Sequence, residues 1–329
     1  MNYYPLPISI KELVVSFRAP AAPPSIFVAY DFKDSQSERF FADLRSALAH
    51  SPKDALTIVA NGKVEPGASW AVEVRERISK SRLMIADLSQ NSVEVYFECG
   101  LSWGLGRALC PVVRSDDRRQ FLPKWLLDLQ VVNYGSDAGM QELLQRIRKV
   151  GSEKNSKARN RCESAVPGKI AIVSSSTDQV SHQNAIVKAA CGIYGMSYTQ
   201  GEALPERELA VELPRSIADA SLLIINIQGD FSESDLFGIF CTGAILSHPS
   251  SGIDTKKLLK QVLIVTHGAN PESIKIFPDS AKRIRNVKII SPNALTKEVH
   301  SFGINYRKWV ALQATAAKGS HDAKKPIGR

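Results

Sequence analysis

The residues with the most chemical promise lie in NSVEVYFECGLSWGLGRALCPVV, Asn91 to Val113. The run of small and apolar residues predicts a helix from near Ser92 to the second glycine of GLG, with a strand after it. Glu98 falls in the first turns of that helix, among residues that otherwise suit burial. A carboxylate near a helix N-terminus is stabilised in its ionised form by the helix dipole. Held in a cleft, such an anion suits attack on, or electrostatic support of, a sugar C1′ as positive charge develops there. A leaving group that departs neutral from a cation, as nicotinamide does, needs no strong general acid, so one well-placed Glu is enough. The structural alternative is a Glu98 that caps its own helix or pairs with Arg82 or Arg107.

The elements that must hold this helix can be read from the chain. Asn91 or Ser92 is placed to cap it. Gly100 and Gly104 share one face, where the backbone can approach a sheet or a ligand closely, and Glu94 shares a side with Glu98. Residues Trp70 to Ser89, WAVEVRERISKSRLMIADLS, align without a gap on Leu209 to Gln228, LAVELPRSIADASLLIINIQ. Val72 meets Val211, Glu73 meets Glu212, Ile78 meets Ile217 and Asp87 meets Asn226. SIFVAY matches KIAIVS upstream, FECG matches FCTG downstream, and each half then reaches another apolar strand, ALCPVV or QVLIVT. This is the mark of an internal duplication. Continuous apolar strands alternating with helical stretches predict an α/β protein of two tandem flavodoxin/Rossmann-like three-layer domains with parallel sheets.

In such sheets ligands bind outside the carboxyl ends of the strands. That rule selects YDFKDS, DLSQNS and the helix start that leads to Glu98. Tyr30, Asp31, Phe32 and Lys33 would form the lip after the first strand, with an aromatic ring to stack on a base or on nicotinamide and Lys33 to meet a phosphate. Trp70 is a candidate to line the pocket, or else a core residue of its helix. Asp87 ends a buried strand, where it can bond a ribose hydroxyl or cap the next turn. GLGR at Gly104 to Arg107 follows a helix and lacks the dinucleotide-binding spacing. His182, His248, His267 and His300 have no partners at ligand spacing and read as structural, and no metal site is expected.

The chain has 329 residues, is 44% hydrophobic and carries a net charge of +9, enough for two domains with real cores. The expected organisation is an N-terminal arm and linker at 1–24, a first domain at 25–150, a linker at 151–168, a second domain at 169–312 and a basic flexible tail at 313–329. The basic excess lies in SEKNSKARNRCES and KGSHDAKKPIGR, while charges nearly cancel from Ser25 to Val150. No basic patch carries interleaved aromatics, so nucleic acid is not the favoured partner. No apolar run reaches membrane-span length, the N-terminus does not read as a signal peptide, and the five cysteines show no CxxC pair. A cytoplasmic location is the expectation.

IFVAYDFKDSQSERFFADLRSAL resembles the opening of a TIR domain, and PGASWAVEVRERISKSRLMIADLS resembles the stretch after the loop that follows its second strand, with Pro66, Gly67, Trp70, Ile78, Ser81 and Ser89 in matching places. In TIR NADases the catalytic Glu follows a Trp by one helical turn. Here Glu94 stands at the Trp position, a departure, and Glu98 at the Glu position. NSVEVYFECGLSWGLGRALCPVV is also similar to the NPNVxYELGxAxxxGK pattern of bacterial TIR-like and nucleoside 2-deoxyribosyltransferase-like proteins, whose corresponding Glu is the nucleophile in the transferases. The resemblance covers Ser25 to Val150. It implies NAD as a substrate rather than a cofactor, Glu98 as the catalytic residue, a role in bacterial anti-phage defence, and a homo-oligomer or a partner protein of a defence system.

In the second copy the Glu position is Cys241 and the Asp87 position is Asn226, so this half is expected to keep the fold without the chemistry. It would complete the first half's cleft or bind a regulating nucleotide. Glu233 and Asp235 are a candidate substitute acidic site or a solvated loop. Three functions are therefore in play: a TIR-like NAD glycohydrolase, a deoxyribosyltransferase-like enzyme, and a non-catalytic module that senses a nucleotide or binds a protein.

Overall fold

The structure is a computed structural model that describes residues 25–49, 57–60, 70–119, 122–123, 126, 130–152, 166–174, 177–199, 219–227, 233–247, 261–267 and 287–322. The first half runs β1 (Ser25–Ala29), α1 (Ser35–Ala49), β2 (Thr57–Ala60), α2 (Trp70–Lys80), β3 (Ser81–Asp87), α3 (Val93–Gly104), β4 (Ala108–Val113), a single helical turn at Asp116–Arg119, β5 (Val132–Asn133) and α4 (Asp137–Ser152). The second half runs β6 (Lys169–Val173), α5 (Thr177–Tyr194), β7 (Ser197–Thr199), β8 (Leu222–Ile227), α6 (Glu233–Leu246), β9 (Gln261–Thr266), β10 (Val287–Ile290) and α7 (Leu295–Asp322).

Each half forms a five-stranded sheet in which every strand pair is parallel, β2-β1-β3-β4-β5 in the first and β7-β6-β8-β9-β10 in the second. These are one topology used twice, the flavodoxin-like order. The chain is thus an α/β protein of two tandem Rossmann/flavodoxin-like domains, as the repeated strand–helix pattern predicts.

The central strands are buried on both faces because their residues are apolar without alternation, as in LMIA of β3 and LLIINI of β8. On the outer face of the first sheet, α1 contributes Phe40, Leu44 and Leu48 at helical spacing, and α4 contributes Leu143 and Ile147. On the outer face of the second, α5 and α7 do the same through Val187, Ala190, Val299 and Phe302. The two inner faces share a single core that joins Val74 and Ile78 of α2, most of α3 and most of α6 to both sheets. The layers run helices, sheet, shared helices, sheet, helices.

The joint at the centre is α3 against α6. A Cβ added at Gly100 would fall on the carbonyl oxygen of Phe240, and one added at Gly243 would fall on the carbonyl oxygen of Phe97. Backbone meets backbone there, which only glycine permits. Gly104 extends the contact to Ala244 and Ser247, while Arg75 of α2 donates from Nε to the Ser247 carbonyl at 2.9 Å.

The last helix continues to Asp322, into the segment read from composition as a tail beginning at 313. The cause is local: ALQATAA is rich in alanine, the best helix former, and carries the helix past its last packed turn. No helix among the described residues is long and apolar enough to cross a membrane.

Candidate functional site

In the first sheet the chain leaves β1 to one side for β2 and to the other for β3, so the switch point lies at the carboxyl ends of β1 and β3. The residues of the β1 lip divide there. Tyr30 is buried, stacked on Phe41 at 5.4 Å and edge-on to Phe32 at 4.9 Å between ring centroids. Burial, and then the charge of Glu38, raise its hydroxyl above the ordinary tyrosine value. Tyr30 is therefore a core residue of the lip, and Phe32, 49% exposed, is the ring available for stacking. Asp31 closes the turn by accepting from the Lys33 amide at 2.9 Å, and Lys33 is exposed.

Asp34, which sequence reasoning passed over, organises the start of α1. It accepts from the Ser37 amide at 3.3 Å and the Ser37 hydroxyl at 2.7 Å, and it forms an ion pair with Arg114. Burial works to raise the Asp34 carboxyl, but hydrogen bonds from Ser37 and Arg114 and the Arg114 charge outweigh it and hold the group below its ordinary value. An internal carboxylate thus fills the place at this helix N-terminus where a ligand phosphate would otherwise dock. The signal in the sequence was an Asp before S-x-S at a helix start.

Asp87, 2% exposed, is the hub of the same edge. One oxygen accepts from the Ser89 amide at 3.0 Å and the Ser89 hydroxyl at 2.6 Å. The other accepts from the Ser37 hydroxyl at 2.6 Å and the Tyr134 hydroxyl at 3.0 Å. Ser37 has one proton for two carboxylates, Asp34 and Asp87, so its hydroxyl ties them together but satisfies one at a time. Burial first, and the Asp87 charge second, push the Tyr134 hydroxyl up to about 12. The Arg114 amide donates to the Ser89 hydroxyl at 2.8 Å and closes the network. Of the two roles open to Asp87 in the sequence, the structure displays the turn cap.

The corresponding edge of the second half repeats the plan without the charges. Asn226 of β8 pairs reciprocally with Gln183 of α5: its amide donates to Gln183 Oε1 at 2.9 Å, and Gln183 Nε2 donates back. The same amide donates to the Val173 carbonyl at 3.3 Å, and Asn226 Oδ1 lies 3.0 Å from His267 Nε2. His267 follows β9 as Arg114 follows β4. Asn226 gives His267 a hydrogen-bond partner within this edge.

Glu98 stands on α3 and is wholly buried. Ser92 occupies the N-cap position but turns its hydroxyl to Glu94, at 2.9 Å, and not to the helix amides. Asn91 takes a left-handed backbone, φ 49°, and accepts from the Tyr96 hydroxyl at 3.0 Å. The capping expected of these two residues gives way to bonds with the side chains of the first turn. Phe97, Gly100, Leu101 and Gly104 lie on the face that meets α6. Glu98 and Ser102, four residues apart, lie together on a flank roughly a third of a turn away. Burial, and then the charge of Glu98, push the Cys99 thiol well above its ordinary value, which leaves it inert.

No protein-family model and no curated protein matches this chain. The lip, Asp87 and the start of α3 all rise from one sheet edge, but the Asp87 hydrogen bonds described above go to Ser37, Ser89 and Tyr134, not to Glu94 or Glu98. The Trp70 side chain and the Glu233 side chain lie outside the described residues. Asp235 is buried in the first turn of α6, and Cys241 is buried at the position of Glu98.

Proposed function

We propose that the chain is a TIR-like N-glycosidic hydrolase acting on NAD, with Glu98 as its central carboxylate and a second half that keeps the fold to complete and cover the first. The observation that carries this reading is Glu98 itself: a carboxylate with no exposed surface, in a helix whose other inward residues are apolar or small. Taking a carboxylate out of water costs several kcal/mol, on the order of the stability of a whole domain, and such groups cluster at functional sites. The resemblance of Ser25 to Val150 to TIR-like proteins supplies the substrate class, and the exposed Phe32 and Lys33 supply groups for a base and a phosphate at the same edge. A role as an anti-phage effector belongs to the same proposal.

The reading carries a requirement. Glu98 must become reachable, so turnover belongs to an arrangement in which one flank of α3 opens while the glycine joint to α6 stays closed. The test is nicotinamide release from NAD by the full chain, alone and with candidate nucleotide activators, for wild type and Glu98→Gln. The expected result is release by wild type and loss of at least about a hundredfold in the variant, the scale for removing one key electrostatic group, with unchanged circular dichroism. Equal background release by both proteins under every condition would sink it. Deoxynucleosides in a parallel arm distinguish base exchange from NAD cleavage.

The complete burial of Glu98 favours one other reading, a non-catalytic nucleotide-sensing module in which Glu98 is a structural acid. That reading expects a nucleotide to raise the melting temperature without any product forming.

A further inference from the structure

We infer that Ser102 is a second substrate-contacting residue: its hydroxyl hydrogen-bonds a hydroxyl of the sugar whose anomeric carbon Glu98 addresses. The inference rests on the proposed role of Glu98 and deepens it.

Ser102 is wholly buried, and its Oγ is the one buried hydroxyl without a hydrogen-bond partner among the described residues. The hydroxyls of the facing helix behave otherwise. Thr242 turns back to the Gly238 carbonyl at 2.9 Å, and Ser247 turns back to the Ala244 carbonyl at 2.7 Å. That back-bond, to the carbonyl three or four residues earlier, is the ordinary way for a helix to settle a buried hydroxyl. On the edge of the first sheet, Ser37 and Ser89 are settled by Asp87. Ser102 takes neither route.

A buried hydroxyl without a partner is costly, and a ligand atom or a water that reaches it removes the cost. Its position says which ligand. Ser102 follows Glu98 by one helical turn, which puts the two side chains side by side, roughly 5–6 Å apart at Cβ. They lie off the face that Gly100 and Gly104 press against α6. A carboxylate only accepts hydrogen bonds, while a serine hydroxyl both donates and accepts. Together they fit neighbouring hydroxyls of a sugar ring, one giving its proton to Glu98 and the next exchanging a bond with Ser102. Neither side chain is cationic, so the phosphates of a dinucleotide belong elsewhere, at the exposed Lys33 of the lip.

The test uses Ser102→Ala in the full chain, with NAD turnover for the variant and calorimetric NAD binding in the Glu98→Gln background, where substrate survives. The expected result is a KM and a Kd raised about tenfold, the worth of one hydrogen bond, with kcat within about threefold and a melting temperature unchanged or higher. A KM and Kd equal to wild type overturn the assignment, as does a melting temperature lowered by several degrees, which would show that the hydroxyl serves the protein itself. NAD cleavage that is lost in Glu98→Gln but untouched in Ser102→Ala removes Ser102 alone, whereas a wild-type protein that neither binds nor cleaves NAD removes the role of Glu98 and this inference with it.

Discussion

The two sheet edges invite comparison because they share a scaffold and differ in charge. In the first half Asp87 ends the central strand, with Arg114 and Asp34 beside it and hydroxyls of Ser37, Ser89 and Tyr134 around it. In the second half Asn226 ends the equivalent strand, with His267 in the place of Arg114 and the Gln183 amide in the place of the hydroxyls. Each cluster is satisfied on its own terms. The Asp87 carboxylate has four donor groups around it, one of them the hydroxyl it shares with Asp34, and the Asn226 amide has two donors and two acceptors. The two halves thus share a fold and differ in the polar groups of this edge. The charged edge sits in the half that also holds the buried acid Glu98, and the neutral edge sits in the half where Cys241 stands in its place.

The strongest way to break this comparison is at the joint, because the two edges can differ in function while the halves remain one folding unit. Gly100→Ala places a methyl group on the Phe240 carbonyl, and the backbone of α6 cannot yield without moving its sheet. The expected loss is about 3 kcal/mol, the upper range for overpacking. Because one core spans both halves, amide exchange in β3 and β8 should rise together. Protection retained in β8 and lost in β3 would show two independent domains in loose contact. Gly243→Ala should match it, since its added carbon falls on the Phe97 carbonyl.

Next in size is the exchange of edge chemistries. Asp87→Asn removes the charge, and with its nitrogen turned towards Ser37 and Tyr134 those two hydroxyls must accept where they now donate. The cost should be about 1.5–3 kcal/mol, the range for hydrogen bonds to a charged group. Denaturant unfolding measures it, and a neutral result would mean that the charge of this edge has no structural consequence.

Much of this arrangement was legible in the chain. The apolar strands and the ungapped repeat declare two parallel sheets, since LMIADL and LLIINI can be buried on both faces in no other common architecture. FECG and FCTG mark the glycines that became the joint, but their meaning did not show. A glycine at helical spacing says that something comes close, not whether it is a sheet, a ligand or another helix. Asp87 was visible at a strand end, while its partner Tyr134 lies 47 residues away and could be paired only by the fold. Asp34 and Arg114 went unremarked for the same reason: an ion pair 80 residues apart leaves no local pattern. The burial of Glu98 could be suspected from its neighbours, but the helix that its own helix packs against comes from the other half.

A finer test removes one spoke of the charged edge. Tyr134→Phe deletes the bond to Asp87 and should cost about 1 kcal/mol at neutral pH. Its pH signature is more telling. The folded hydroxyl titrates at about 12 against 10.0 for a free tyrosine, first because it is buried and second because Asp87 is charged. Between those values the unfolded chain releases the proton and the folded chain keeps it, so stability falls as pH rises through the window. Wild type should lose stability across that range more steeply than Tyr134→Phe. Parallel curves would show that the fold does not raise the Tyr134 hydroxyl above its unfolded value.

The smallest effect separates the edges by the sign of a proton linkage. Burial lowers the His267 imidazole below its ordinary value of 6.5. As pH falls below that value the unfolded chain takes up a proton before the folded one does, so the neutral edge loses stability in mild acid. The charged edge behaves differently: the lowered Asp34 carboxyl keeps its contribution until pH falls below about 3.8 and gives it up only as its folded value is passed. Asn226→Asp should therefore invert the second edge. An anion 3.0 Å from the imidazole favours the imidazolium, which raises His267 above the unfolded value and makes mild acid stabilising. Imidazole resonances followed by NMR report the change directly, moving from a midpoint below 6.5 in wild type to one above it in the variant. A midpoint that stays below in both would mean that desolvation, and not the Asp-to-Asn exchange, is what separates the two halves at this position.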